Sequence, residues 1–209
     1  MKNFKEAISL KFVIIGDCGV GKSSVIYSYQ KGQFQPDLIP IPFENFIIQD
    51  KNDENQNIIL NLQEISGSDD YRSLRPSYYE SADLFLIIFS VIDSNSFDHA
   101  ISKWYPELNQ NQYLQIPKIF LGNKIDLREI KNNQHINNSF AQKIIQAYKI
   151  QYFECSALTQ EGINQVFKEA SKRIIKIKKE NQIENNGNKL CFEINHQITK
   201  EEEPCCLIF

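Results

Sequence analysis

No charge of one sign dominates this chain of 209 residues. Its 23 lysines and arginines stand against 26 aspartates and glutamates, a net charge of −3 and a pI of about 5.7. That balance argues against wholesale nucleic-acid binding. No apolar run is long enough to span a bilayer. The longest, Leu84 to Ile92, is interrupted by Ser90 and reads as a buried central strand. No secretory signal is expected, because Met1 to Glu6 is polar and leads straight into a strand. Cysteine is scarce and odd in number. Cys18, Cys155, Cys191, Cys205 and Cys206, with no secretory signal, argue against a disulfide framework. Internal repeats are absent. What remains, 42% hydrophobic and 23% charged, can bury a core, and the length suits one α/β domain with a tail.

Apolar runs alternate with helical patterns. Strands are predicted at Phe12–Ile15, Phe43–Gln49, Ile58–Gln63, Leu84–Ser90, Lys118–Gly122 and Tyr152–Cys155. Helices are predicted at Lys22–Gln30, Ser94–Leu108, Ile136–Tyr148 and Ile163–Lys179. The alternation predicts an α/β fold: a mostly parallel six-stranded sheet with helices on both faces. The polar turn Lys51–Asn57 predicts one antiparallel pair. Residues 1–180 form the predicted domain. Residues 181–209 are polar, rich in Asn and Glu and without periodicity, and are expected to be a flexible tail.

The chemistry begins at Gly16-Asp17-Cys18-Gly19-Val20-Gly21-Lys22-Ser23, a G-x-x-x-x-G-K-[ST] pattern between a strand and a helix. Gly16 and Gly21 let the backbone curl so that several N–H groups point at one anion, and the helix start adds partial positive charge. Lys22 reaches the β- and γ-phosphates, and the Ser23 hydroxyl can ligate Mg²⁺. Such a loop alone fits ATPases, nucleoside kinases and GTPases. A second motif discriminates: Asn123-Lys124-x-Asp126 ends a predicted strand. A carboxylate there can accept from both N1–H and the 2-amino group of guanine. Adenine offers no such pair, which penalises it by about 1–3 kcal/mol or more. A nucleoside kinase shares the loop but does not explain this motif.

Together these motifs resemble those of the small GTPases of the Ras superfamily, over roughly Leu10 to Lys179. Within it the likeness is to Rho. Phe43-Glu44-Asn45-Phe46 resembles the Rho effector segment, and Asp70-Tyr71 with Leu74-Arg75-Pro76-Ser77-Tyr78 resembles the Rho second switch. Trp104-Tyr-Pro-Glu-Leu108 matches a Rho hallmark. Only thirty positions separate Asp126 from Ser156, which leaves little room for the extra helix typical of Rho proteins. The resemblance implies a P-loop G domain that binds GTP or GDP with Mg²⁺. It assigns nucleotide contacts to Gly16 through Ser24, to Phe34 against the base, to Asn123, Lys124 and Asp126, and to Ser156, Ala157 and Leu158. It places effector contacts at Phe43, Glu44, Asn45, Phe46, Tyr71, Leu74 and Arg75. It further implies exchange factors and a prenyl-binding chaperone as partners.

Four positions depart from the family pattern. The Mg²⁺-binding Thr of the first switch falls at Ile41, which has no hydroxyl. The acid after the third strand is Glu64 rather than Asp, and is expected to hold Mg²⁺ through water. Gly67 is retained for the γ-phosphate, but the Gln that orients the attacking water is Ser68, too short for that role. Cys18 stands where the family usually has Gly and crowds the same space. Catalysis therefore rests on Lys22, Gly67 and an impaired Ser68, which implies slow GTP hydrolysis or a GTP-loaded scaffold that only binds effectors. Finally, Cys206-Leu-Ile-Phe209 fits a prenylation motif, with Cys205 a candidate second lipid site. The expected location is the cytoplasmic face of the plasma membrane or endomembranes, with a cytosolic pool.

Overall fold

The computed structural model describes residues 7–39, 41–129 and 135–198. Six strands form one sheet: β1 (Ile8–Ile15), β2 (Asn45–Lys51), β3 (Asn57–Glu64), β4 (Leu84–Ser90), β5 (Lys118–Asn123) and β6 (Gln151–Glu154). Their order is β2-β3-β1-β4-β5-β6. Only the β2–β3 pair is antiparallel, as the polar turn between them predicts. Among the described residues five α-helices lie between strands, α1 (Lys22–Lys31), α2 (Arg75–Tyr79), α3 (Ser94–His99), α4 (Tyr105–Leu108) and α5 (Asn138–Gln146), and α6 (Ile163–Ile198) follows β6.

β4 is apolar but for Ser90, and all seven of its residues are buried. Strand side chains alternate between faces, so its two parities fill two layers. Phe85, Ile87 and Phe89 join Val13 and Ile15 of β1 in a cluster closed by Phe97, Trp104, Ala141 and Ile145. Residues of the other parity, Leu84, Leu86 and Ile88, are equally buried. α1 and α6 supply further buried side chains, Val25, Ile26, Val166 and Phe167 among them. Tyr29 of α1 stacks on Phe167 with ring centres 4.1 Å apart.

Two helical predictions differ from what forms. The segment expected as one helix, Ser94–Leu108, opens into a π turn at Ala100–Trp104 between α3 and α4. Pro106 lacks an N–H, and its ring would crowd the carbonyl of Ser102 in a regular α turn. The wider turn relieves that conflict. The last helix, predicted to end at Lys179, runs on to Ile198. No proline interrupts the chain before Pro204. Asp70–Tyr78 also carries short helical turns that its length hides from periodicity.

Lys118, the first residue of β5, tests how tightly the start of that strand packs. It is 6% exposed and donates to the carbonyls of Tyr113 and Ile116 at 2.8 and 2.9 Å. Burial pushes its ammonium down to about 8 from 10.5. Between those values the unfolded chain binds more protons than the folded one, so stability rises with pH through that window. Urea unfolding should show wild type gaining on Lys118→Met by up to about 1.4 kcal/mol per pH unit above pH 8. Parallel pH profiles for the two proteins would refute this.

Candidate functional site

The carboxyl end of β1 meets the start of α1 at the loop 16–21. Gly21 there has φ 92, and a Cβ on it would come within 2.5 Å of the Asn123 side chain. Only glycine lets the loop close against β5 at that point. Lys22 is 6% exposed and arches back over the loop, donating to the carbonyls of Gly16 and Asp17 at 3.1 and 2.8 Å. Burial pushes its ammonium below the ordinary lysine value, against the opposing pull of Glu64.

The end of β5 grips the same loop from above. Asn123 donates through Nδ2 to the Val20 carbonyl at 3.0 Å, and its Oδ1 accepts from the Ala157 N–H at 3.2 Å. Lys124 adopts φ 68, rare for a side-chain-bearing residue, and its Nζ reaches the Gly19 carbonyl at 2.7 Å. Asp126 follows on a single 3₁₀ turn, Ile125–Leu127, and accepts from the Ser156 hydroxyl. Ser28 of α1 and Gln160 both donate to the Ala157 carbonyl at 2.8 Å. Three loops far apart in sequence are thus tied into one frame.

That frame borders a cavity of about 550 Å³. Cys18, Gly19, Gly21, Lys22, Ser23, Ser24, Phe34, Glu64, Gly67, Asn123, Lys124, Asp126, Ala157 and Leu158 all line it. Ile41 and Leu38 line it too, together with Pro42, Ser66 and Leu127, which sequence reasoning passed over. Leu127 and Ser66 adjoin recognised motifs, and adjacency was the only signal for them. Gly67 lies hard against the loop: a Cβ on it would be 2.4 Å from the Gly16 carbonyl oxygen.

Glu64 ends β3 beside Ile14 and is 6% exposed. Its Oε1 accepts from the Ser23 hydroxyl at 2.9 Å, while its Oε2 is buried without a hydrogen-bond donor from the described residues. Burial raises its carboxyl above the ordinary range, with the Lys22 charge opposing. A hydroxyl and an under-satisfied carboxylate oxygen beside a phosphate-type loop suit a hard cation brought in by a nucleotide. Ser23 and Glu64 would hold Mg²⁺ there, and the metal would supply positive charge to offset that of the phosphates. Among the described residues no cluster of three His, Cys, Asp or Glu side chains offers a nucleotide-independent metal site.

Other expected residues stand elsewhere. Gly16, Val20 and Ser156 do not line the cavity but bond to residues that do, Lys22, Asn123 and Asp126. Asp17 turns its carboxylate away from it, accepting from Trp104 Nε1 at 2.7 Å and meeting His99 Nδ1 at 2.6 Å. Ser68 does not line the cavity. Its hydroxyl donates to Asp70 at 2.9 Å and caps the short helix Asp69–Tyr71. Phe43, at φ 60, stacks on Tyr78 and meets Tyr71 edge-on, joining the two predicted switches through one aromatic cluster. Glu44 is half-buried and accepts from the Tyr27 hydroxyl, whereas Asn45 and Leu74 are exposed. Two effector assignments need correction. Phe46 is 6% exposed and Arg75 is 0% exposed, so neither presents a surface to a partner. Phe46 packs against Tyr27, and Arg75 is held by Glu107 and the Ser68 carbonyl. Cys205 and Cys206 lie outside the described residues.

A model of the Ras family matches residues 11–176. The chain is also similar to the Rho-related protein racC of Entamoeba histolytica, 35% identical over 181 residues, a match covering 82% of this chain and 92% of that protein. The family match spans the loop, the Asn123–Asp126 turn and the switch segments.

Proposed function

The chain belongs to the Ras family, a Rho-like small GTPase and GTP-binding switch protein, and from that premise we propose that it is a membrane-attached signalling switch in which GTP hydrolysis is slow. One observation carries this reading. Around Lys22, Ser23 and Gly67 the cavity wall presents Ile41 and Cys18, and the only hydroxyl at the water-orienting position, that of Ser68, is directed to Asp70. Among the described residues that line the cavity there is no Gln side chain to align an attacking water.

Intrinsic hydrolysis in this class runs at about 10⁻⁴ s⁻¹ with the Gln in place. Loss of that group and crowding by Cys18 should lower it to about 10⁻⁵ s⁻¹ or less, leaving GTP bound for many hours. Single-turnover release of labelled phosphate measures this. The double variant Cys18→Gly/Ser68→Gln is expected to gain about tenfold or more. A wild-type rate at or above that of the double variant would overturn the reading. The same features favour a second reading, a scaffold that never turns over. It differs in one outcome: bound GTP would persist even with an activating protein added.

Effectors would read the surface made by Phe43, Glu44, Asn45, Tyr71 and Leu74, with exchange factors and a prenyl-binding chaperone as further partners. Attachment would come from a prenyl group on Cys206 and a second lipid on Cys205, since stable anchoring takes two signals. The protein would then partition between the cytoplasmic face of a membrane and a cytosolic pool. Among the described residues no helix is long and apolar enough to cross a membrane. Mass spectrometry of the native C-terminal peptide should find the isoprenoid mass; an unmodified peptide would reject this part.

A further inference from the structure

We propose that Glu64 ligates the nucleotide-associated Mg²⁺ directly, taking the coordination position that a hydroxyl at residue 41 would otherwise fill. The proposal rests on the nucleotide-binding reading above and revises the expectation of a contact through water.

Four observations converge on it. Ile41 lines the cavity at 54% exposure and has no side-chain oxygen, so the first switch can offer the metal no side-chain ligand there. Glu64 is one methylene longer than aspartate, which carries its carboxylate further toward Ser23 from the fixed end of β3. Its Oε1 lies 2.9 Å from the Ser23 Oγ. Neighbouring oxygens of a Mg²⁺ octahedron, with bonds of about 2.0–2.1 Å, are separated by about 2.9 Å. The two atoms are therefore already spaced as adjacent vertices. Finally, Oε2 is buried without a donor, and the Lys22 ammonium makes its hydrogen bonds to the carbonyls of Gly16 and Asp17 instead of to Glu64. A buried carboxylate in that condition is costly unless a cation meets it.

The consequence is an anionic ligand where a neutral hydroxyl is missing. Metal affinity is kept without the first switch, so nucleotide retention no longer depends on how that segment is arranged.

The test counts water on the metal. The protein is loaded with Mn²⁺ and GDP, and electron paramagnetic resonance line broadening in ¹⁷O-enriched water gives the number of bound waters. Mn²⁺ takes the same octahedral oxygen geometry. One phosphate oxygen, Ser23 and a direct Glu64 leave three of six positions for water, whereas a contact through water leaves four. Wild type is expected to show three and Glu64→Ala four. Four waters in wild type would overturn the proposal, whether or not the variant folds or loads. Chromatography of nucleotide released from the same sample separates the two levels. A protein that retains no GDP defeats the nucleotide reading and this proposal together. Guanine nucleotide with four waters defeats only the direct ligand.

Discussion

Asp126→Ala is expected to lower the preference for GTP over ATP by about 10²- to 10⁴-fold, with little change in the stability of the nucleotide-free protein. The carboxylate stands at the cavity edge on a turn that the rest of the frame fixes. Lys124 enters that turn in a left-handed conformation and is bonded to Gly19, while Asn123 is bonded to Val20 and Ala157. Ser156 donates to one carboxylate oxygen and so orients the group toward the cavity. Two N–H donors of guanine meeting this charged acceptor are each worth about 1.5–3 kcal/mol. Alanine removes both contacts, and it also removes the penalty that an unpaired carboxylate imposes on adenine. Both effects shrink the same ratio. Asp126 is exposed and, among the described residues, its side chain hydrogen-bonds only to Ser156, so the fold loses little. Competition titration of GTP against ATP measures the ratio. A change of less than about tenfold would mean that Asp126 does not read the base. Ser156→Ala, which keeps the carboxylate but removes its orienting bond along with the acceptor for the Thr159 N–H, should produce a smaller change in the same direction.

How much of this was legible beforehand depends on the range of the interactions involved. The phosphate loop, the Asn123–Asp126 turn and all six strands were legible because each is written in adjacent residues: an alternation, an apolar run, a spacing of glycines. Where the prediction failed, the cause was distant partners. Arg75 reads as a surface charge beside Leu74 and Pro76. It is buried because Glu107, thirty-two positions on, and Trp104 close over it. Asp17 sits inside a phosphate-binding motif, yet its carboxylate answers to Trp104 and His99, more than eighty positions away. Phe46 alternates correctly for β2, and its inward face is settled only by the register with β3, where it sits opposite Leu62. The π turn at Ala100–Trp104 is a compromise around one proline, which periodicity averages away.

The buried Arg75 is also where the largest loss of stability is expected. Arg75→Met should lower the unfolding free energy by about 3–5 kcal/mol, the usual result of removing one partner of a buried ion pair. The guanidinium donates to Glu107 at 2.9 Å and to the Ser68 carbonyl at 2.8 Å, with Asp69 a further 3.5 Å partner. It stacks on Trp104 with its carbon 4.6 Å from the ring centre. Without it the Glu107 carboxylate keeps only the Tyr79 hydroxyl among these contacts, in a setting where its side chain is 17% exposed. Denaturant titration gives the loss, and Arg75→Met/Glu107→Gln should recover part of it by removing the stranded charge. A loss below about 1 kcal/mol would show that the pair is dispensable. The same variant tests a connection between the switch and the loop. Arg75 fixes the Ser68 carbonyl and covers Trp104, and Trp104 donates to Asp17 next to Cys18. Trp104 is the single tryptophan, so its fluorescence reports this junction alone. If the second switch and the phosphate loop are joined through it, exchanging GDP for GTP should change the emission of wild type and leave that of Arg75→Met unresponsive under conditions where both remain folded.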